Sequence, residues 1–188
     1  KDPFMQERIQ EYIARLCNSV NKNTLVFFTS YNFMRMMRPY LETHIMRNLY
    51  WEESRNQRKT MENLASFRNG REGVFFSVMG GSIAEGIDFP GEELCYAIIV
   101  GIPYPPPSSE QKAMSAMFDQ RYGAGKGWIY TSEVPALRKM KQAIGRLIRT
   151  ETDRGMAVIL DSRASRYAKQ LDAKVSEDPV GDAERFFE

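Results

Sequence analysis

The sequence predicts an α/β fold, a doubly wound and mostly parallel sheet with helices on both faces. Four short runs carry this reading: TLVFFTS (24–30), VFFSVM (74–79), YAIIVG (96–101) and MAVILD (156–161). Each is continuously apolar and rich in β-branched and aromatic residues, as strands of a parallel sheet buried on both faces are. Helical patterns fill the gaps between them, and that alternation marks an open α/β layout. With 188 residues the chain can bury one sizeable core, so a single domain is expected.

Taken in order, a helix is expected over 4–19, then the first strand, a helix over 31–42 and a further strand within HIMRNLY (44–50). Helices follow over 56–69, 108–122, 133–149 and 164–172. The stretch GAGKG (123–127) invites a phosphate-loop reading, but it lacks the four-residue gap and the Ser or Thr of G-x-x-x-x-G-K-[ST] and ends a helix instead of opening one. A flexible basic loop is expected there. The tail SEDPVGDAERFFE is acidic and broken by proline and glycine, so residues 1–175 are read as the domain and 176–188 as an acidic tail that either packs loosely or continues into a further region.

Composition narrows the function. No apolar run approaches the ~18 residues of a membrane span, and KDPFMQERIQEY is too polar for a secretory signal. A cytoplasmic location is expected for a prokaryotic source, which is preferred, and a nuclear one for a eukaryotic source. Cys17 and Cys95 lie far apart with no CxxC, and His44 is the single histidine, so no metal site is expected; the cysteines are read as small buried residues and His44 as structural or incidental. Net charge is only +2, yet residues 1–75 carry 12 basic against 8 acidic groups and residues 108–149 carry 8 against 3. A local surface for a polyanion is therefore indicated.

The most informative segment is QAIGRLIRTETDRGMAVILDSR (142–163). On a helix, Gln142, Arg146 and Arg149 fall within an arc of roughly 60°. Leu137, Met140, Ile144 and Leu147 form an apolar stripe centred on the opposite side. Guanidinium groups keep their charge and offer forked donors, which suits them to phosphate. Gly145, costing about 1 kcal/mol relative to alanine inside a helix, suggests close approach of a ligand or backbone. A merely solvated basic face gives the same pattern, since Arg138, Lys139 and Lys141 lie on or beside it.

Ligands of such a sheet bind beyond the carboxyl ends of its strands. There, Thr29, Ser30, Tyr31 and Asn32 begin a helix whose free N–H groups favour an anion, although a plain N-cap reads alike. GGSIAEGIDFPG follows the 74–79 run, with Glu85 and Asp88 as a carboxylate pair in a glycine-rich loop or, equally, a tight turn with surface acids. Asp161 and Arg163 either pair with each other or brace the arginine helix.

Taken together, LVFFTSY (25–31), GSIAEGIDFPG (81–91), AIIVGIPYPPPS (97–108) and QAIGRLIRTETDRGMAVILDSR (142–163) resemble the second motor domain of a superfamily-two DNA helicase. The likeness is to the XPD family, with FANCJ and DinG as relatives, and spans about residues 24–165. LVFFTSY resembles motif IV, GSIAEGIDF motif V and QAIGRLIR motif VI. The resemblance implies a RecA-like fold and an ATP-dependent helicase that moves along single-stranded DNA and unwinds duplex in DNA repair, including nucleotide excision repair. By that likeness Gln142 contacts the γ-phosphate region, and Arg146 and Arg149 act as arginine fingers. Gly86 and Asp88 then link nucleotide state to motion, with Glu85 beside them, while Ser30 and Tyr31 touch the DNA backbone.

ATP and Mg²⁺ are expected at an interface with a first motor domain, because the chain has no Walker A lysine or acidic Walker B motif. The family's 4Fe–4S cluster needs four cysteines and is likewise expected in that first half, so the chain is read as a C-terminal domain inactive alone. Expected partners are single-stranded DNA, the first motor domain of the same polypeptide and subunits of a repair complex, with no membrane. The alternative is a RecA-like nucleic-acid or partner-binding module outside ATP turnover. An RNA helicase is a third reading, against which GSIAEGIDF and IPYPPPS favour the DNA branch.

Overall fold

The apolar runs pair into one parallel sheet in the computed structural model, which describes residues 3–87, 89, 93–145, 147 and 154–188, with Pro3 and Glu85 through their backbone alone. The strands are β1 (Thr24–Phe28), β2 (Leu49–Trp51), β3 (Val74–Val78), β4 (Tyr96–Val100) and β5 (Met156–Leu160). Their order across the sheet is β2-β3-β1-β4-β5, every pairing being parallel. In register, Val26 lies between Phe76 and Ile98, so β1 is the central strand.

Side-chain alternation along a strand divides the core into two layers. Val26, Phe28, Phe76, Tyr96, Ile98 and Val100 face one cluster, while Leu25, Phe27, Phe75, Ala97 and Ile99 face the other. The first layer is closed by α1 (Pro3–Ser19), α2 (Tyr31–His44) and α9 (Pro179–Phe187). The second is closed by α3 (Gln57–Asn69), α4 (Ser82–Gly86), α7 (Val134–Ile144), a 3-10 segment (Ser162–Tyr167) and α8 (Ala168–Leu171). Between β4 and β5 the chain also forms α5 (Ser109–Tyr122) and α6 (Lys126–Trp128), then a π-helical turn (Ile129–Glu133) that leads straight into α7.

Several expectations need correction. The helix read over 133–149 ends at Ile144. Gly145 takes the C-cap place (φ −63°, ψ −8°), and Leu147 donates its N–H to Ile144 O in a turn. The cost expected of a glycine inside a helix therefore does not arise. The buried stripe is Ala136, Met140, Ala143 and Leu147, with Leu137 and Ile144 only partly buried at its margin. β5, read as buried on both faces, is half-buried and pairs with β4 at the end of the strand order among the described residues.

The tail does not pack loosely. Pro179 starts α9, Asp178 caps it by accepting from Gly181 N–H at 3.0 Å, and Val180 and Ala183 are buried. A proline at a helix start carries no penalty, since its missing N–H would have no partner there. The GAGKG loop is pinned. Asp119 Oδ1 accepts from Gly127 N–H, Thr131 Oγ1 donates to Gly127 O, each at 2.8 Å, and a Cβ on Gly127 would lie 2.1 Å from Ser115 O. Cys17 is fully buried and burial pushes its thiol up to about 12, while Cys95 is partly exposed. His44 ends α2, its ring stacked 3.8 Å from that of Tyr40.

Candidate functional site

Because all pairings are parallel, the strand carboxyl ends share one edge, and the segments leaving it can be compared directly. After β1, Ser30 is in extended conformation and caps α2, its hydroxyl accepting from Phe33 N–H at 3.2 Å. The plain N-cap among the alternatives is thus what the structure contains. Tyr31, the first residue of α2, points across the edge and donates to Glu52 Oε1 at 2.9 Å. Burial and the Glu52 carboxylate push its phenol up to about 12, so Tyr31 is a neutral donor at physiological pH.

Glu52 follows β2 directly and is 2% exposed. Oε1 accepts from Tyr31 and from both the N–H and the hydroxyl of Ser82, the latter two at 3.0 Å. Oε2 accepts from the Ser77 hydroxyl at 2.6 Å and Val78 N–H at 3.1 Å. Gly81 makes room for the carboxylate, since a Cβ there would stand 2.6 Å from Oε1 and 2.9 Å from Val78 O. Beside it a shallow pocket of about 50 Å³ is lined by Tyr31, Arg35, Arg38, Trp51 and Glu53 among others. Sequence reasoning missed Glu52; an acid immediately after an apolar strand run, in the position where ligand-binding loops are sought, was the available signal.

After β4, Ile102 donates its N–H to Asp161 Oδ2 at 3.3 Å. After β5, Arg163 grips Asp161 through Nε at 2.9 Å and Nη2 at 2.6 Å. Of the two roles weighed for this pair, mutual pairing is present, while a brace on Arg146 or Arg149 falls on residues outside those described. Burial raises the Asp161 carboxyl, but its bonds to Arg163 and Ile102 hold it below the usual carboxylate range.

The motif V-like and motif VI-like segments meet in the second layer. α4 packs against α7, and Ile83 and Ala84 share a cluster with Met140, Ala143 and Leu147. Gly86 and Gln142, near the ends of these helices, are exposed, and none of the described residues lies within 4 Å of a Cβ position on Gly86. Ser30 and Tyr31 belong to the opposite layer, Tyr31 packing against the first cluster. Asp88, Arg146 and Arg149 lie outside the described residues, as does the Glu85 side chain. Among the described residues no three His, Cys, Asp or Glu side chains converge as metal ligands.

Known proteins bear on this arrangement. The model of the helicase C-terminal domain matches residues 13–178. A probable ATP-dependent helicase of Methanocaldococcus jannaschii is 30% identical over 179 residues, covering 88% of this chain and 27% of that protein. The ATP-dependent DNA helicase DinG of Photobacterium profundum is 34% identical over 157 residues, covering 79% of this chain and 22% of its own. A solved apo structure of XPD superposes with a TM-score of 0.71 at 28% identity, over 92% of this chain and 35% of that one. The chain belongs to the helicase C-terminal domain family, and its sheet is that of a RecA-like helicase domain. Within the superfamily-two helicases it is XPD-like. It spans about a quarter of the length of the curated relatives it matches.

Proposed function

We propose that the chain is the second motor domain of an ATP-dependent, XPD-like DNA helicase that translocates on single-stranded DNA and unwinds duplex, serving DNA repair. The observation that carries this reading is the packing of α4 against α7, which brings the GSIAEG and QAIG segments onto one face of a RecA-like sheet with Gly86 and Gln142 exposed. ATP held with Mg²⁺ against a first motor domain would supply the phosphoryl group that is transferred to water. Toward it this chain contributes Gln142 near the γ-phosphate and Arg146 and Arg149 as donors to the charge that develops in transfer. Gly86 and Asp88, with Glu85 beside them, carry the nucleotide state onward, and Ser30 and Tyr31 meet the DNA backbone at the start of α2, where the positive end of the helix dipole favours phosphate. The 4Fe–4S cluster belongs, on this reading, to the first half.

The test is steady-state hydrolysis by the enzyme carrying both motor domains. Arg146→Ala or Arg149→Ala is expected to cut DNA-stimulated turnover by ~10³-fold or more, as when a transition-state charge partner is lost. The chain alone is expected to hydrolyse no ATP above buffer background. Turnover by the isolated chain that single-stranded DNA stimulates, or normal turnover in both arginine variants, would overturn the reading.

A further inference from the structure

We propose that Glu52 is a positioning residue that fastens the start of α2 to the start of α4, so that the DNA-facing Ser30–Tyr31 end and the GSIAEG segment shift together. The inference rests on the function proposed above and adds to it a residue that none of the helicase-like motifs contains. Its carboxylate is almost completely buried, and the ion pairs among the described residues do not include it. Five donors satisfy it instead: Tyr31 OH from α2, Ser77 OH and Val78 N–H from the end of β3, and Ser82 N–H and OH from α4.

An ionised carboxylate can accept from all five because it has no hydrogen of its own to place. A glutamine amide would set an NH₂ group against either the Tyr31 and Ser82 donors or the Ser77 and Val78 donors. Burying a charge for the sake of holding a strand end is costly, and an apolar side chain of similar volume does that as well. What an apolar side chain lacks is direction. Through this carboxylate two residues 51 positions apart share one oxygen: Tyr31 and Ser82 both donate to Oε1. Any displacement of α4 is thereby felt at Tyr31. The fit is close, since Gly81 leaves no space for even a methyl group beside it.

The experiment uses the full-length helicase with both motor domains and reads DNA-stimulated hydrolysis, melting temperature and amide exchange. Glu52→Gln is expected to lower stimulation by single-stranded DNA about tenfold, the equivalent of one lost charge-assisted hydrogen bond. Tyr31→Phe and Ser82→Ala should each lower it, with the double variant losing less than the product of the two, and neither should lower it further in the Glu52→Gln background. Amide exchange at Ser82 should rise in Tyr31→Phe, a readout independent of hydrolysis that still decides the matter if Glu52→Gln does not fold. Effects of Tyr31→Phe and Ser82→Ala that multiply independently overturn the proposal. So does a Glu52→Gln enzyme that melts lower while its stimulation per folded molecule is unchanged, or an unchanged Ser82 amide in Tyr31→Phe. Absence of any DNA-stimulated hydrolysis in the unsubstituted enzyme is a separate result: it removes the helicase reading, and the coupling role goes with it.

Discussion

At the scale of single residues, Asp161 joins the ends of β4 and β5 by accepting from Ile102 N–H, and its pairing with Arg163 makes that link sensitive to acid. The Asp161 carboxyl is held below the usual range, so its stabilising contribution is complete above its unfolded pKa of about 3.9 and is lost as pH falls through the lower folded value. Urea midpoints measured from pH 6 down to pH 2 should therefore fall more steeply in the unsubstituted protein than in Asp161→Asn. Parallel acid limbs would show that the pair adds nothing. Asp161 and Arg163 were visible in the sequence because they sit two residues apart at a strand end. Glu52 offered only its place directly after a strand run, because the partners that define its role stand 21 to 30 residues away. The roles of Arg146 and Arg149 rest on resemblance alone.

At the scale of elements, α7 shows where periodicity informs and where it misleads. Its apolar spacing marked the core-facing side correctly at Met140, since a stripe recurring every three to four residues must lie on one face; Leu147 is buried too, but from the turn beyond the helix. It overvalued Ile144 and overlooked the small residues Ala136 and Ala143, which are themselves buried. Met140→Ala is accordingly expected to cost ~2–5 kcal/mol of stability, as for a fully buried side chain, and Ile144→Ala distinctly less. Denaturant titration of the two variants checks this, and an equal loss would place Ile144 in the core after all. The helix end escaped detection because QAIGRLIR reads as continuous amphipathic helix, whereas Gly145 at the C-cap gives the chain its turn.

At the scale of the whole molecule, the parallel sheet was legible because strands covered on both faces must be continuously apolar, and β1, β3 and β4 are buried at every position. The edges were less legible: β2 has three residues and β5 is half-buried, so neither has a full second face to encode. The tail was misjudged for a related reason, since proline and glycine in SEDPVGDAERFFE suggested a broken chain when they start and permit a helix. That helix matters most for what it hides. Phe187 meets Tyr96 edge-on at 5.3 Å, Val180 and Ala183 are buried with Val158 of β5, and Arg154 donates to Phe186 O at 3.4 Å. Ending the chain after residue 175 would uncover an apolar patch beside an edge strand, and light scattering should then report self-association at concentrations where the intact chain stays dispersed. A truncated chain that stays monomeric would show that α9 is dispensable to solubility; otherwise α9 is a guard against sticking as well as a part of the core.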